Sequence, residues 1–384
     1  MDFEFLLPVE DAILAHNQLL PKQALGHTIK IHSQQHGLPD LKGAKIAIVG
    51  ISETRNAVIQ HINPLPVSKV RQQLYKLFPG NWGHTIIDLG NINQGATVQD
   101  TYFAVQSLCE FLIQENIIPL LIGGSQDVTY PAYRSFDEVG SMVNLVSVDS
   151  RFDFGNADEL ISSHSYMSKI IVEKPNNLFN FSNLGYQTYY NAQEEIDLMD
   201  KLFFDAFRLG EVIKDITAVE PILRDANMVS IDMGAVQSPG HDSGGDVPNG
   251  FDSREICAIT RYAGISEKVQ LFGIFECHGK NYSAALIAQM VWYFIEGVNY
   301  RIDEVAIDEK GAYQKYIVPV DDEELHFYKS NKSGRWWIEI PFMINLNNKL
   351  KRHTLLPCTY SDYLDACNQK RPERWWKAFK KSIA

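Results

Sequence analysis

The sequence predicts an α/β protein, three layers deep around a mostly parallel central sheet and carrying a C-terminal extension. Two observations predict it. Six short apolar, β-branched runs recur between residues 45 and 275, separated by longer segments, several with helical periodicity. Each run is apolar almost without interruption, as a strand covered on both faces requires.

In order, the runs are Lys45 to Ile51, Thr85 to Leu89, Ile117 to Ile122, Val143 to Val148, Asn227 to Ile231 and Val269 to Phe275. Val98 to Gln114 and Ser283 to Glu296 repeat apolar residues every 3.6 positions and predict helices. Ser253 to Tyr262 predicts another, after the turn signal Pro248-Asn249-Gly250. With an N-terminal arm that has helical character at Val9 to Gln18, residues 1–300 read as one α/β domain. From Arg301 the alternation fades into a polar, aromatic-rich segment with Arg335-Trp336-Trp337, Tyr360 and Trp375-Trp376. That many aromatic side chains are not left solvated, so 301–384 is expected to pack on the domain.

A formal charge of -12 disfavours nonspecific attraction to nucleic acid or to an anionic membrane. The last 34 residues are a local exception, with eight Lys/Arg against three Asp/Glu. The five cysteines are scattered without a CxxC pair, which suggests neither a disulfide framework nor a zinc knuckle. The chain opens Met-Asp-Phe-Glu-Phe, without a basic and then apolar leader, and no stretch approaches eighteen apolar residues. The expectation is a cytoplasmic protein.

In an open parallel sheet, ligands bind at the carboxyl ends of the strands. The third run is followed by Gly123-Gly124-Ser125-Gln126-Asp127, the fourth by Asp149-Ser150-Arg151-Phe152-Asp153, the fifth by Asp232-Met233-Gly234, and the sixth ends at Glu276. Five acidic side chains are thereby expected at one edge. Carboxylates so placed form a hard-metal site, an acid/base pair, or simple helix N-caps. A single Asp after a strand is more often a cap than a ligand, whereas this combination is harder to assign to capping alone.

At these points the sequence resembles the arginase/agmatinase/formimidoylglutamase (ureohydrolase) family, which carries Gly-Gly-x-His, Asp-x-His-x-Asp and Ser-x-Asp-x-Asp segments after successive strands. The likeness runs from about residue 45 to 300 and extends to Pro239-Gly240, Gly250-Phe251, Arg254-Glu255 and Glu276. It implies the three-layer arginase-like fold and two Mn²⁺ ions, held by two His and four Asp, that share a hydroxide attacking a guanidino or formimino carbon. It also makes a homo-oligomer an expectation.

Transferred residue by residue, Asp149 and Asp232 match the bridging ligands and Asp153 the first metal's own aspartate. The remaining three positions differ. Gln126 replaces the first metal's His, Arg151 the second metal's His, and Gly234 the second metal's own Asp. The expectation is therefore none or at most one metal ion per chain. Three carboxylates about 4 Å apart would repel by roughly 4 kcal/mol per pair at an effective dielectric near 20. Arg151 is accordingly expected to fork onto Asp149 and Asp232, with Asp149, Arg151 and Asp153 on one side of an extended segment and Ser150 and Phe152 on the other.

The resemblance further implies a proton-shuttling role for His164 and a substrate-binding role for Glu276. A loop histidine is as often a surface hydrogen-bonder. His278 and His241 are weaker candidates for replacement ligands. Three functions remain open at this point: a catalytically silent protein of this fold that binds a small ligand or a protein partner, an amidine hydrolase using one metal or replacement ligands, and a scaffold whose Trp-rich extension binds a partner.

Overall fold

The computed structural model describes residues 3–58, 64–139, 142–155, 159–238, 247–279, 281–304, 309, 311–340 and 355–383. Its centre is a 10-stranded sheet. The strands are β1 (Leu6–Leu7), β2 (Lys30–Ile31), β3 (Ala44–Ile51), β4 (Thr85–Ile92), β5 (Ile118–Ile122), β6 (Val143–Val148), β7 (Leu178–Tyr186), β8 (Asp205–Arg208), β9 (Met228–Asp232) and β10 (Leu271–Phe275). The order is β1-β4-β3-β5-β10-β9-β6-β7-β8, with β2 also on β4. All pairings are parallel except β1 with β4. All six predicted runs are strands of this sheet.

Alternation along each strand splits the core into two layers. Ile46, Ile48, Leu120, Ile122, Val229 and Ile231 pack with the helices Val67–Leu74, Ser253–Ile265 and Asn281–Asn299. Ala47, Val49, Leu121, Leu145 and Phe275 face the other way, against Val98–Gln114 and Tyr166–Val172. Helix Val98–Gln114 starts where its sequence says it should: Thr97 and Asp100 form a reciprocal capping box, each satisfying an otherwise orphaned amide of the first turn.

Strands β7 and β8 are additions to the sequence reading. β7 is interrupted by Asn180, Ser182 and Asn183, so it lacks an apolar run. Two of its polar residues bond inside the fold instead: Asn180 and Ser182 both donate to Asp205 at the start of β8, at 2.9 and 3.3 Å.

The extension forms its own antiparallel sheet of β11 (Tyr313–Val320), β12 (Glu323–Ser330), β13 (Trp336–Glu339) and β14 (Leu355–Cys358). Val318, Leu325, Phe327, Trp336 and Ile338 build a separate core with Trp375 of the helix Glu373–Ile383. The opposite face meets the main domain, where the buried Arg224 lies 4.4 Å over the Trp337 ring and donates to the Trp336 carbonyl at 3.0 Å. The Lys377 ammonium donates to the Phe204 carbonyl at 3.1 Å, and Lys381 donates to Asn180. Arg224, Phe204 and Asn180 lie at or near the amino ends of β9, β8 and β7, so these anchors hold the extension at the edge opposite the strand ends that carry the acidic motifs. The tryptophans are used within it: Trp375 and Trp336 are buried, and Trp337 is covered by Arg224. They present no continuous exposed patch. Among the described residues, no helix is long and apolar enough to cross a membrane.

Candidate metal centre

Four strand ends build the site. After β5 the chain turns through Gly123 and Gly124, both at positive φ, and a Cβ on Gly123 would stand 2.6 Å from the Ile51 carbonyl oxygen. Only glycine fits that approach. The turn delivers Gln126 into the interior, fully buried. Its Nε2 donates to Ser230 Oγ at 2.9 Å and, more weakly, to Tyr166 OH at 3.4 Å, while Oε1 has no partner among the described residues. After β10, Glu276 accepts from the Gln126 backbone amide at 3.1 Å, which ties the two loops together.

Asp149 follows β6 and Asp232 ends β9, and each closes a tight turn on itself. Arg151 N–H donates to Asp149 Oδ1 at 2.8 Å, and Gly234 N–H donates to Asp232 Oδ1 at 2.5 Å. Asp153 sits at φ 56, a left-handed conformation that Asp tolerates better than most residues. Its backbone carbonyl accepts from Met167 N–H at 3.1 Å, fixing the loop to the following helix. Oxygens of Asp149, Asp153 and Asp232 all lie within 4.8 Å of one another, and all three side chains are buried. With the carboxyls ionised, no N–H or O–H among the described residues reaches Asp149 Oδ2 or either Asp153 oxygen.

Burial, reinforced by the neighbouring carboxylates, pushes the Asp149 and Asp232 carboxyls well above the usual range. Burial also raises Asp153, to about 7, although a proton shared with Asp149 and the Arg151 charge hold it back. Without a counter-charge this cluster keeps protons at neutral pH.

The expected fork of Arg151 onto Asp149 and Asp232 is not formed. The turn closed by Asp149 Oδ1 breaks the extended alternation, so residue 151 leaves the line that joins Asp149 to Asp153. Its guanidinium instead lies 4.5 Å from the centre of the Tyr190 ring, and Nη1 donates to the Tyr190 carbonyl at 2.9 Å. Phe152 does face away, buried in the core as expected.

The other candidates separate clearly. His164 is half-buried beside Arg151 and Glu276; burial and then the Arg151 charge push its imidazole below the usual value, against the pull of Glu276. Asp127, the fifth acidic residue, turns aside and accepts from Tyr102 OH. The ring of His278 is engaged with its own chain, Nδ1 standing 2.6 Å from the Glu276 carbonyl oxygen, and it joins no cluster of metal-capable side chains among the described residues. His241 lies outside the described residues. Tyr166 and Tyr190 were missed, since neither belongs to a motif and each reaches the site only through the packing of the loop that follows β6 or β7.

Comparison with the curated proteins gives no match. Solved structures with this fold include a formiminoglutamase from Trypanosoma cruzi with Mn²⁺, at TM-score 0.61 and 16% identity, covering 73% of this chain and 99% of that one. The formimidoylglutamase of Bacillus subtilis aligns at TM-score 0.59 and 14% identity over 68% of this chain and 90% of its own. A hypothetical agmatinase from Burkholderia thailandensis aligns at TM-score 0.57 and 18% identity, over 68% and 89%. The model of the Arginase family matches residues 58–295, which is more than half of the sequence and spans every strand end described above. This chain belongs to the arginase family.

Proposed function

We propose that this protein binds one hard divalent cation and a small ligand at the arginase-type site, and that the two-metal hydrolysis of linear amidines implied by its family is absent or strongly reduced. One observation carries the reading: three buried carboxylates converge within 4.8 Å, with oxygens that find no N–H donor among the described residues. Buried carboxylates in that state either hold protons or hold a cation.

Counting donors supports one ion and not two. Asp149 and Asp232 each already give Oδ1 to a backbone amide, so their second oxygens are the freer donors. What remains is Asp149 Oδ2, Asp232 Oδ2, both Asp153 oxygens and the unpartnered Gln126 Oε1. That is an all-oxygen set, suited to Mg²⁺, Ca²⁺ or Mn²⁺ and poor for zinc. The second-metal half lacks both of its private ligands, and its turn has closed around glycine: a Cβ at Gly234 would stand 2.9 Å from Asp232 Oδ1. A bound cation would supply Lewis acidity to a ligand oxygen or water. The chain's own contribution is to hold the carboxylates, with His164 and Glu276 beside them.

The second reading, amidine hydrolysis with one metal, is favoured by the presence of His164 and Glu276 next to the cluster. Assays for urea, ammonia and formamide release from arginine, agmatine and formiminoglutamate, with saturating Mn²⁺, decide between them. We expect no turnover above a metal-only control. Turnover that Glu276→Gln abolishes would establish the hydrolase and overturn the silent reading.

A further inference from the structure

Arg151 occupies a ligand position of the second metal, but its charge is not consumed by the cluster. Among the described residues no carboxylate lies within salt-bridge distance of it, and its side chain bonds only the Tyr190 carbonyl, through Nη1. The position is nevertheless rigidly built. Its amide is tied to Asp149 Oδ1, its carbonyl accepts from Asn183 Nδ2 at 2.7 Å, and its guanidinium rests on the Tyr190 ring. Held by one edge, the half-buried guanidinium has no partner for its Nε–Nη2 edge, two parallel donors, among the described residues.

We propose that Arg151 is the anion-recognition residue of this site and that the small ligand carries a carboxylate, received by the free guanidinium edge. The planar fork of arginine matches the two oxygens of a carboxylate, and a stacked, pre-oriented guanidinium loses little entropy on binding one. Nearness to the cluster agrees: Arg151 is close enough for its charge to act on Asp153, Asp232 and His164. His164, held toward its neutral form, is available there as a hydrogen-bonding neighbour. The second metal's positive charge has thus been replaced by a fixed cation that attracts anions without taking up coordinating ligands. The inference rests on the ligand-binding reading above, and it names the ligand's chemistry.

The test is calorimetric titration of the full-length protein with acetate and succinate, each with and without Mg²⁺, and of Mg²⁺ alone, for wild type, Arg151→Gln and Arg151→Lys. We expect a carboxylate to bind wild type, Arg151→Gln to weaken it at least tenfold, or about 1.4 kcal/mol, and Arg151→Lys to fall between. Thermal melting shows that each variant is folded, and Mg²⁺ affinity should hold or rise in Arg151→Gln. Equal carboxylate binding by wild type and Arg151→Gln, or none by wild type in either arm, overturns the proposal. Absence of Mg²⁺ binding overturns the cation reading alone, because the arm without Mg²⁺ still reports whether carboxylate binding depends on Arg151.

Discussion

Asp153→Asn is expected to stabilise the cation-free protein at pH 8 while removing most of its cation affinity, two effects of opposite sign from one substitution. The carboxylate is buried, neither oxygen meets an N–H donor among the described residues, and its pKa of about 7 makes it largely ionised at pH 8. A charge buried in this way costs about 4 kcal/mol relative to its neutral form, given about 1.4 kcal/mol for each pH unit of displacement. Asparagine keeps the shape and accepts the positive φ of this position without strain. Thermal melting of the cation-free variant should therefore exceed that of wild type by several degrees. The melting gain that wild type shows on adding Mg²⁺ or Mn²⁺ should nearly vanish, since the variant has lost one charge and an oxygen donor. A variant less stable than wild type without cation, with its cation response intact, would place Asp153 outside the site.

Cation affinity is also expected to climb steeply between pH 6 and 8, with protons released on binding. The ion competes with protons that burial keeps on Asp149, Asp153 and Asp232. The stability of the cation-free protein should run the other way. A carboxyl whose folded pKa is raised stabilises the fold fully below its unfolded pKa, near 4, and that contribution is lost as pH rises through the folded value, about 7 for Asp153. Melting temperature without cation should thus fall from pH 5 to pH 8, and added cation should restore most at the upper end. Calorimetry in buffers of different ionisation enthalpy counts the released protons. A flat affinity over this range would mean that the carboxylates are not the ligands.

Much of this site was legible because its chemistry follows strands that announce themselves. β3, β5, β6, β9 and β10 are mostly apolar, so the residue after each is easily placed at one edge, and Asp149, Asp153 and Asp232 do meet there. Arg151 was not legible, because its direction depends on a side-chain-to-backbone turn at Asp149 that no periodicity reveals. β7 escaped for a related reason: its asparagines look like loop residues until Asp205 and Arg151 are seen to use them. In the extension, Val318/Val320, Leu325/Phe327 and Trp336/Ile338 lie at every second position and face one core, as strand residues should. Pro319 is admitted only because β11 is an edge strand. The extension's placement at the amino ends of the strands was beyond sequence reasoning, since it rests on single long-range contacts such as Arg224 with Trp337.

Cation stoichiometry tests the central claim most directly. Full-length protein equilibrated with excess Mn²⁺ at pH 8, freed of unbound metal and weighed by native mass spectrometry should carry one ion per chain, and none in Asp153→Asn. Two ions per chain would show that Arg151 and Gly234 have not closed the second position. No ion at all would mean that the three aspartates are held together by protons, contradicting the account.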